Sequence, residues 1–257
     1  MEYYQKLLIL PDANNLFDSN GKLHKYPKLP AINLKAKTEY VQRYLNFFNP
    51  DLLKDETIVV YQHSAVIRDM MVEIFEKLGA SVIKVGRSDE FIPMDTEAMR
   101  NIDIDNAIKW AKKYKPTAIA SADGDSDRPM LFDETGEFIR GDLLGILCST
   151  YLGADSVSTT ASCNTAIEKS NKFIKINRTK IGSPYVIQSM QSDEKSGYNK
   201  IVSYEANGGF LTQNNISLNG HQLKALPTRD SMLPIISALA LAKINNLSLS
   251  KLLKLFP

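Results

Sequence analysis

Three aspartates at alternate positions form the pattern in this chain with the most specific chemistry. Asp123, Asp125 and Asp127 are separated only by Gly124 and Ser126, which permit the tight backbone curl that would bring the carboxylates together. Three like charges in one loop repel one another unless a cation lies among them. Because carboxylate oxygens are hard ligands, the pattern predicts a Mg²⁺ or Ca²⁺ site rather than a zinc site.

The same spacing imitates part of a calcium-binding EF-hand loop, in which Glu134 would take the twelfth position. An EF-hand needs glycine at its sixth position for a sharp turn, but Arg128 stands there and Pro129 follows it. The flanking segments also have the pattern of strands rather than helices. These features favour a metal loop at the end of a strand over a calcium sensor.

Arg128 places a planar cation directly after the aspartates. A guanidinium suits a phosphate because it donates two parallel hydrogen bonds. A metal ion and an arginine at the same strand end indicate phosphoryl-transfer chemistry. An ordinary ion pair to a neighbouring aspartate is the alternative interpretation of this residue.

Strands and helices are predicted to alternate around this loop, and the aspartates follow the third strand. The predicted strands are 57–61, 81–85, 117–121, 156–160, 173–177, 200–204 and 209–212, with a hairpin over 130–140. The predicted helices are 36–48, 65–78, 103–114, 142–151, 165–170, 185–193, 247–255 and 228–244, the last of these capped by Thr228.

This order predicts two consecutive α/β domains with mixed, mostly parallel sheets covered by helices. Residues 51–154 would form the domain with the metal loop, and residues 155–257 the second domain. The turn-rich residues 1–50 are interpreted as a linker or the remnant of a preceding domain. Since open α/β sheets bind ligands at the carboxyl ends of their strands, the aspartates would lie at the ligand-binding edge.

Composition excludes several classes of protein. The 257 residues include 31 basic and 29 acidic side chains, a net charge of +2, which is far from the strongly basic balance of a dedicated nucleic-acid binder. There is no run of 18 apolar residues and no secretory signal pattern, and two cysteines are too few for a disulfide framework. We therefore expect a cytoplasmic protein without a nucleic-acid or membrane partner.

Four segments resemble the α-D-phosphohexomutases, the family of the bacterial phosphomannomutases and phosphoglucomutases. SADGDSDRPMLFDETGEFIRGD (121–142) resembles their metal-binding loop. VYQHSAVIRD (60–69) with KLGASV (77–82), RTKIGSPYVI (178–187) and YEANGGFL (204–211) resemble the start of their second domain, a substrate segment and the sugar-specificity loop, in the family's order. PTRDSMLP (227–234) follows the sugar loop as that order leads one to expect. The resemblance covers about residues 35–257. It implies two consecutive phosphohexomutase-type domains, the family's second and third, without the first and fourth.

The resemblance implies a role for each motif. The three aspartates would hold Mg²⁺, and Arg128 would act in catalysis by steadying a phosphoryl group that passes between a phosphoserine and a phosphosugar. Lys180, Glu205, Asn207 and Gly208 would bind the substrate. The family interconverts hexose 6-phosphate and hexose 1-phosphate, so glucose or mannose 1,6-bisphosphate is the expected activator or intermediate. Because the phosphoserine belongs to the first domain and a phosphate grip to the fourth, we expect this chain alone to be inactive or a poor catalyst.

Two local departures bear on the substrate site. The family's sugar loop commonly ends in histidine, but Gly209 stands at that position, and His221 is a candidate replacement. The segment TASCNT (160–165) imitates the family's serine loop, although it follows the metal loop and lacks the histidine and proline. Capping of a helix by Ser162 or Asn164 explains it better than a nucleophilic serine.

Two other functions stay open at this point. The chain could be a non-catalytic module that binds a sugar phosphate or a metal. It could also be a Mg²⁺-dependent phosphatase of the α/β class, in which Asp123 or Asp125 would be the nucleophile. A phosphatase would release phosphate from glucose 6-phosphate, and a mutase would not.

Overall fold

The computed structural model describes residues 17–19, 22–25, 28 and 30–257. Contacts divide the chain into two compact units, Met1–Ala36 and Lys37–Pro257. In the first unit, Phe17 and Leu23 form an antiparallel bridge. The interpretation of residues 1–50 as a linker falls partly outside the described residues and stays a prediction.

Two five-stranded sheets and a separate two-stranded hairpin occupy the second unit. The strands are β1 Thr57–Tyr61, β2 Ser81–Val85, β3 Ala118–Ala122, β4 Pro129–Phe132, β5 Phe138–Ile139, β6 Ser156–Thr160, β7 Lys175–Thr179, β8 Ile201–Tyr204, β9 Phe210–Thr212, β10 Ile216–Leu218, β11 His221–Leu223 and β12 Leu226–Asp230. The helices are α1 Leu34–Leu45, α2 Arg68–Lys77, α3 Asn101–Tyr114, α4 Gly141–Leu152, α5 Ala166–Lys169, α6 Ser183–Lys195, α7 Met232–Ile244 and α8 Leu249–Leu253.

The sheets are mixed, as the sequence predicts. The first has the order β2-β1-β3-β4-β5, and the second has the order β12-β9-β8-β6-β7. Each contains two parallel and two antiparallel pairings. The pairs β3–β4 and β8–β9 are antiparallel because the links between their strands are too short to hold a crossover helix. Both sheets carry a loop with candidate site residues at such a link.

The end of the second sheet differs from the prediction. Residues 226–230 pair with β9 as β12, so the helix predicted from Thr228 begins at Met232. Asp230, rather than Thr228, accepts a hydrogen bond from the first helical N–H, that of Met232, at 3.0 Å. Thr228 is a favoured N-cap residue type a few positions before the apolar run, so the sequence predicts this boundary too early.

A hairpin at 216–223 escaped the sequence analysis. Asn219 and Gly220 both have left-handed φ angles, +51° and +81°, in the two-residue loop between β10 and β11. An Asn-Gly pair between short strands is a strong signal for this turn. The strands have only three residues each, which leaves little alternation to detect.

One hydrophobic core connects the two sheets. It includes buried side chains from β1, α2, α4, β8 and α7. The backbone of α4 approaches the Tyr204 ring so closely at Gly145 that a Cβ there would overlap the ring. The loops that follow β3 and β8 are therefore held by one continuous packed interior. Within the described ranges, no helix has the length and apolar character that crossing a bilayer requires.

Candidate functional site

The aspartate loop begins where β3 ends and closes on itself. The backbone N–H of Asp123 donates to the carbonyl of Arg128 at 3.1 Å, and the N–H of Arg128 donates to Oδ1 of Asp123 at 3.2 Å. Ser126 has a left-handed φ of +68°, which turns the chain back on itself. Its Oγ receives the N–H of Ile67 at 3.1 Å, so the loop is also tied to the start of α2. These contacts fix the curl that the spacing of the aspartates predicts.

The curl brings the three carboxylates together. One oxygen from each of Asp123, Asp125 and Asp127 lies within 4.8 Å of the other two. Oxygen ligands of an octahedral Mg²⁺ are about 3 Å apart when adjacent and about 4.2 Å apart when opposite, so the carboxylates would have to move inward to bind it. Oδ1 of Asp127 is buried and has no hydrogen-bond partner. The donor set and this unpartnered oxygen fit a hard divalent cation, although metal binding itself stays a prediction.

Electrostatics also favour a cation at this loop. Burial and, to a smaller degree, the charges of Asp125 and Asp127 raise the pKa of Asp123 from 3.8 to about 6, against the opposing hydrogen bond from Arg128. Burial also raises the pKa of Asp127, although Arg229 opposes this shift. Asp123 is only 6% exposed. The loop therefore holds negative charge that solvent compensates poorly, and a bound divalent ion would stabilise its ionised form.

Arg128 lies beside the aspartates rather than pointing away from them. Its Nε is 3.7 Å from Oδ2 of Asp123 and 3.7 Å from Oδ1 of Asp127. These distances satisfy an ion pair but exceed a hydrogen bond, and Nε has no hydrogen-bond partner. Arg128 therefore forms the ion pair with neighbouring aspartates that the sequence allows as an alternative to phosphate binding. Its Nε–H donor remains without a hydrogen-bond acceptor.

The predicted sugar loop follows β8 and is also tightly closed. Glu205 accepts the N–H of Gly208 on its backbone carbonyl at 2.9 Å, and the Asn207 amide oxygen accepts the N–H of Gly209 at 2.9 Å. Gly208 has a φ of +89° in this turn. The Glu205 carboxylate is 5% exposed and accepts a hydrogen bond from Ser183 Oγ at 3.1 Å. Asn207 thus uses its acceptor within the loop and retains its amide donor for a ligand.

The sugar loop also contacts the segments that surround the first sheet. Thr96, in the segment between β2 and α3, donates from Oγ1 to the Asn207 carbonyl at 3.0 Å. Gly208 lies against Pro129 and Gly141, so a Cβ at Gly208 would be 2.8 Å from the Pro129 ring. The sugar loop therefore packs directly on the strand that follows the aspartate loop.

Arg229 joins the two loops, and the sequence analysis assigned it no role. Its Nη2 lies 2.5 Å from Oδ2 of Asp127, and its Nη1 lies 3.7 Å from Oε2 of Glu205. The sequence predicts a helix that begins at Thr228, whereas Arg229 lies on strand β12. Strand β12 pairs with β9, the strand that follows the sugar loop. Predicting this pairing would have identified Arg229 as a neighbour of the sugar loop.

The remaining candidates lie in different places. Lys180 is exposed on the loop between β7 and α6, with Nζ 5.7 Å from the Tyr185 ring centroid. This loop leads to Ser183, the hydrogen-bond donor to Glu205. His221 lies on β11, and its Nδ1 is 3.1 Å from the Asn46 carbonyl. The side chain that packs against Gly209 is that of Arg229.

The segment that imitates a serine loop begins a short helix. Asn164 Oδ1 accepts the N–H of Ala166 at 2.8 Å, the first residue of α5. Ser162 Oγ lies 2.9 Å from Thr160 Oγ1. The N-cap residue itself is Thr165, so Asn164 binds the helix start from one residue earlier and Ser162 does not cap it. Ser162 has a hydroxyl partner rather than a base.

Comparisons with known proteins agree with this arrangement. The model for phosphoglucomutase/phosphomannomutase alpha/beta/alpha domain II matches residues 38–136, and the model for domain III matches residues 140–257. A phosphomannomutase of Salmonella muenchen is 45% identical over 247 residues, which are 93% of this chain and 51% of that protein. A phosphomannomutase of Sinorhizobium fredii is 44% identical over 81% of this chain and 44% of its own length.

The chain thus spans about half the length of these curated relatives. A solved structure of a phosphoglucomutase/phosphomannomutase family protein from Burkholderia thailandensis has the same fold. It superposes with a TM-score of 0.66 at 16% identity, over 86% of this chain and 46% of that one. This chain therefore belongs to the phosphoglucomutase/phosphomannomutase family, and it carries that family's domains II and III.

Proposed function

We propose that this chain is the metal- and sugar-binding core of a phosphohexomutase. The reaction would interconvert hexose 6-phosphate and hexose 1-phosphate by Mg²⁺-dependent phosphoryl transfer through a bisphosphate. The observation that supports this proposal is the link Asp127–Arg229–Glu205, in which one guanidinium contacts a carboxylate of each loop. The two motifs that the resemblance assigns to the metal and to the sugar therefore lie side by side, which supports a ligand shared between them.

Each residue has a chemical task in this proposal. Asp123, Asp125 and Asp127 would hold Mg²⁺, which when bound supplies charge neutralisation to a transferring phosphoryl group. Arg128 would direct its guanidinium to the phosphoryl oxygens. Glu205 would accept hydrogen bonds from sugar hydroxyls, because Ser183 Oγ orients its carboxylate by a hydrogen bond and Arg229 Nη1 lies 3.7 Å away.

The other predicted ligands would complete the sugar site. Asn207 would donate its amide N–H to a sugar oxygen, since its own carbonyl oxygen is occupied. Gly208 would let the loop backbone approach the ligand through its positive φ. Lys180 would place a compact positive charge near the phosphate or a hydroxyl. Glucose or mannose 1,6-bisphosphate is the proposed ligand of the assembled cleft.

We also propose that turnover needs groups from outside domains II and III. In the family as the sequence resemblance describes it, the phosphoryl donor is a phosphoserine of the first domain, and the fourth domain grips the distal phosphate. The effective concentration of a tethered donor supplies much of such a rate. The 257 residues alone should therefore bind the bisphosphate without catalysing appreciable isomerisation.

Calorimetric titration with glucose 1,6-bisphosphate, with and without Mg²⁺, tests this proposal on the chain and on Asp125→Asn. Asp125 is exposed, so its substitution should leave the fold intact. Arg87→Gln is a matched control, because Arg87 forms an exposed ion pair with Asp69. We expect Mg²⁺-dependent binding that Asp125→Asn loses and the control keeps. Equal binding by all three proteins, or none by the unaltered chain, would contradict the proposal.

Release of phosphate from glucose 6-phosphate separates the mutase from the phosphatase. Asp123, one of the two possible nucleophiles, is buried and accepts the Arg128 N–H, which leaves it poorly placed for attack. The mutase proposal expects neither phosphate release nor a phospho-aspartate. Either product would support the phosphatase instead.

A further inference from the structure

We propose that Arg229 is a positioning residue that couples the metal loop to the sugar loop, and that position 209 must be glycine to make room for it. This inference rests on the proposed function, because it concerns how the same cleft senses its metal and its sugar. Neither residue belongs to the set that the sequence motifs predict as ligands.

The two arms of the Arg229 guanidinium reach different loops. Nη2 contacts Oδ2 of Asp127 at 2.5 Å, and Nη1 lies 3.7 Å from Oε2 of Glu205. The two oxygens of Asp127 have different surroundings: Oδ1 is buried without a hydrogen bond, 3.7 Å from Arg128 Nε, and Oδ2 contacts Arg229. A carboxylate that ligates a metal through one oxygen is commonly oriented by a hydrogen bond to the other. Arg229 has the geometry of that orienting partner.

The same guanidinium transmits the position of Asp127 to Glu205. A planar guanidinium holds its two arms at a fixed angle, so a shift of one arm moves the other. If Asp127 moved toward a bound cation, the guanidinium would follow it and the distance between Nη1 and Glu205 would change. The carboxylate proposed to bind sugar hydroxyls would then change its orientation with metal occupancy. Lysine cannot do this, because its ammonium is a single point charge on a flexible stem.

Gly209 explains how Arg229 reaches this place. A Cβ at position 209 would lie 2.6 Å from Cδ and 2.8 Å from Cγ of Arg229, and 3.1 Å from Oδ1 of Asn207. Gly209, unlike its neighbour Gly208, does not have a left-handed φ, so its backbone would accept alanine. The requirement for glycine is therefore steric, and the arginine side chain imposes it.

The strand beneath Arg229 is firmly anchored by the next residue. Asp230 is buried and accepts hydrogen bonds from Tyr44 Oη at 2.6 Å, Tyr40 Oη at 3.0 Å and Arg43 Nη1 at 3.0 Å. Asp230 also pairs with Phe210 of β9, so this cluster fixes the backbone directly after Arg229, whose guanidinium reaches Asp127. A fixed backbone is what lets the guanidinium act as a link rather than a loose surface charge.

The test measures the coupling factor, the ratio of the affinities for glucose 1,6-bisphosphate with and without Mn²⁺. The proteins are the unaltered chain, Arg229→Ala, Arg229→Lys, Gly209→Ala and the double variant Arg229→Ala/Gly209→Ala, with Arg87→Ala as control. Calorimetry gives both affinities, and thermal unfolding in EDTA shows that each variant is folded. We expect the coupling factor to fall about fivefold or more in each single variant at position 229 or 209.

The double variant makes the assignment specific. If Gly209→Ala acts by displacing Arg229, it should lower the coupling factor when Arg229 is present. It should not lower the factor further in the double variant, which lacks the arginine side chain. Unchanged coupling in Arg229→Ala and Arg229→Lys would overturn the inference, even if their melting temperatures fall. So would rescue by lysine, which would show that charge alone suffices. If the unaltered chain binds neither Mn²⁺ nor bisphosphate, the proposed function itself fails.

Discussion

Replacing Asp123 with asparagine should stabilise the metal-free protein. Burial and two neighbouring carboxylates raise the pKa of Asp123 from 3.8 to about 6, so its ionisation is disfavoured in the folded state. Asparagine has the same shape, keeps an oxygen to accept the Arg128 N–H, and carries no charge. The substitution therefore removes a penalty without removing the hydrogen bond that closes the loop.

The size of this effect follows from the pKa shift. A shift of about 2 pH units corresponds to about 3 kcal/mol of folding free energy once both states are ionised, above pH 6. Between pH 6 and 4 the folded protein binds more protons than the unfolded chain, so the penalty shrinks as the pH falls. The gain from Asp123→Asn should be about 2–3 kcal/mol at pH 7.5 and about 1 kcal/mol at pH 4.5.

Thermal unfolding in EDTA at these two pH values measures the gain, about 4–10 °C in melting temperature at pH 7.5. Asp103→Asn is the matched control, because Asp103 is also buried but accepts hydrogen bonds from Arg100 Nε at 2.7 Å and Tyr61 Oη at 3.1 Å. It should destabilise the protein by about 1–3 kcal/mol. Added Mg²⁺ should raise the melting temperature of the unaltered chain but not of Asp123→Asn. Destabilisation by Asp123→Asn in EDTA would refute the reasoning.

Three further substitutions test the packing that supports the cleft. Gly208→Ala combines a φ of +89° with a Cβ 2.8 Å from the Pro129 ring, so it should cost about 1–3 kcal/mol in thermal unfolding and weaken bisphosphate binding by calorimetry. Gly145→Ala would overlap the Tyr204 ring and should cost about 1–3 kcal/mol or more in urea unfolding. Tyr44→Phe removes the 2.6 Å hydrogen bond to buried Asp230 and should cost about 1–3 kcal/mol in the same assay; a neutral result would show that Tyr40 and Arg43 suffice.

Local features of the fold could be predicted from the sequence because their causes are local. The strands at 57–61, 81–85 and 156–160 have the bounds that their β-branched runs predict. The convergence of the three aspartates was also predictable, since the curl depends on residues within the loop. In the same way, Gly79 ends α2 with a φ of +94°, as a glycine after a helix indicates.

The link between the loops could not be read from local patterns. Arg229 meets Asp127 only because β12 and β3 belong to sheets that a common core holds together. Its own strand resembled the start of the helix that follows, since only the pairing with β9 distinguishes the two. The steric reason for Gly209 depends on that same tertiary contact.

The central claim is that three aspartates hold one divalent ion in a cleft shared with the loop that carries Glu205. Anomalous diffraction from crystals of this chain grown with Mn²⁺ and glucose 1,6-bisphosphate tests it most directly. We predict one manganese peak among the carboxylates of Asp123, Asp125 and Asp127, with sugar density against Glu205. Manganese bound elsewhere, or carboxylates that turn apart with sugar density remote from Glu205, would contradict the account.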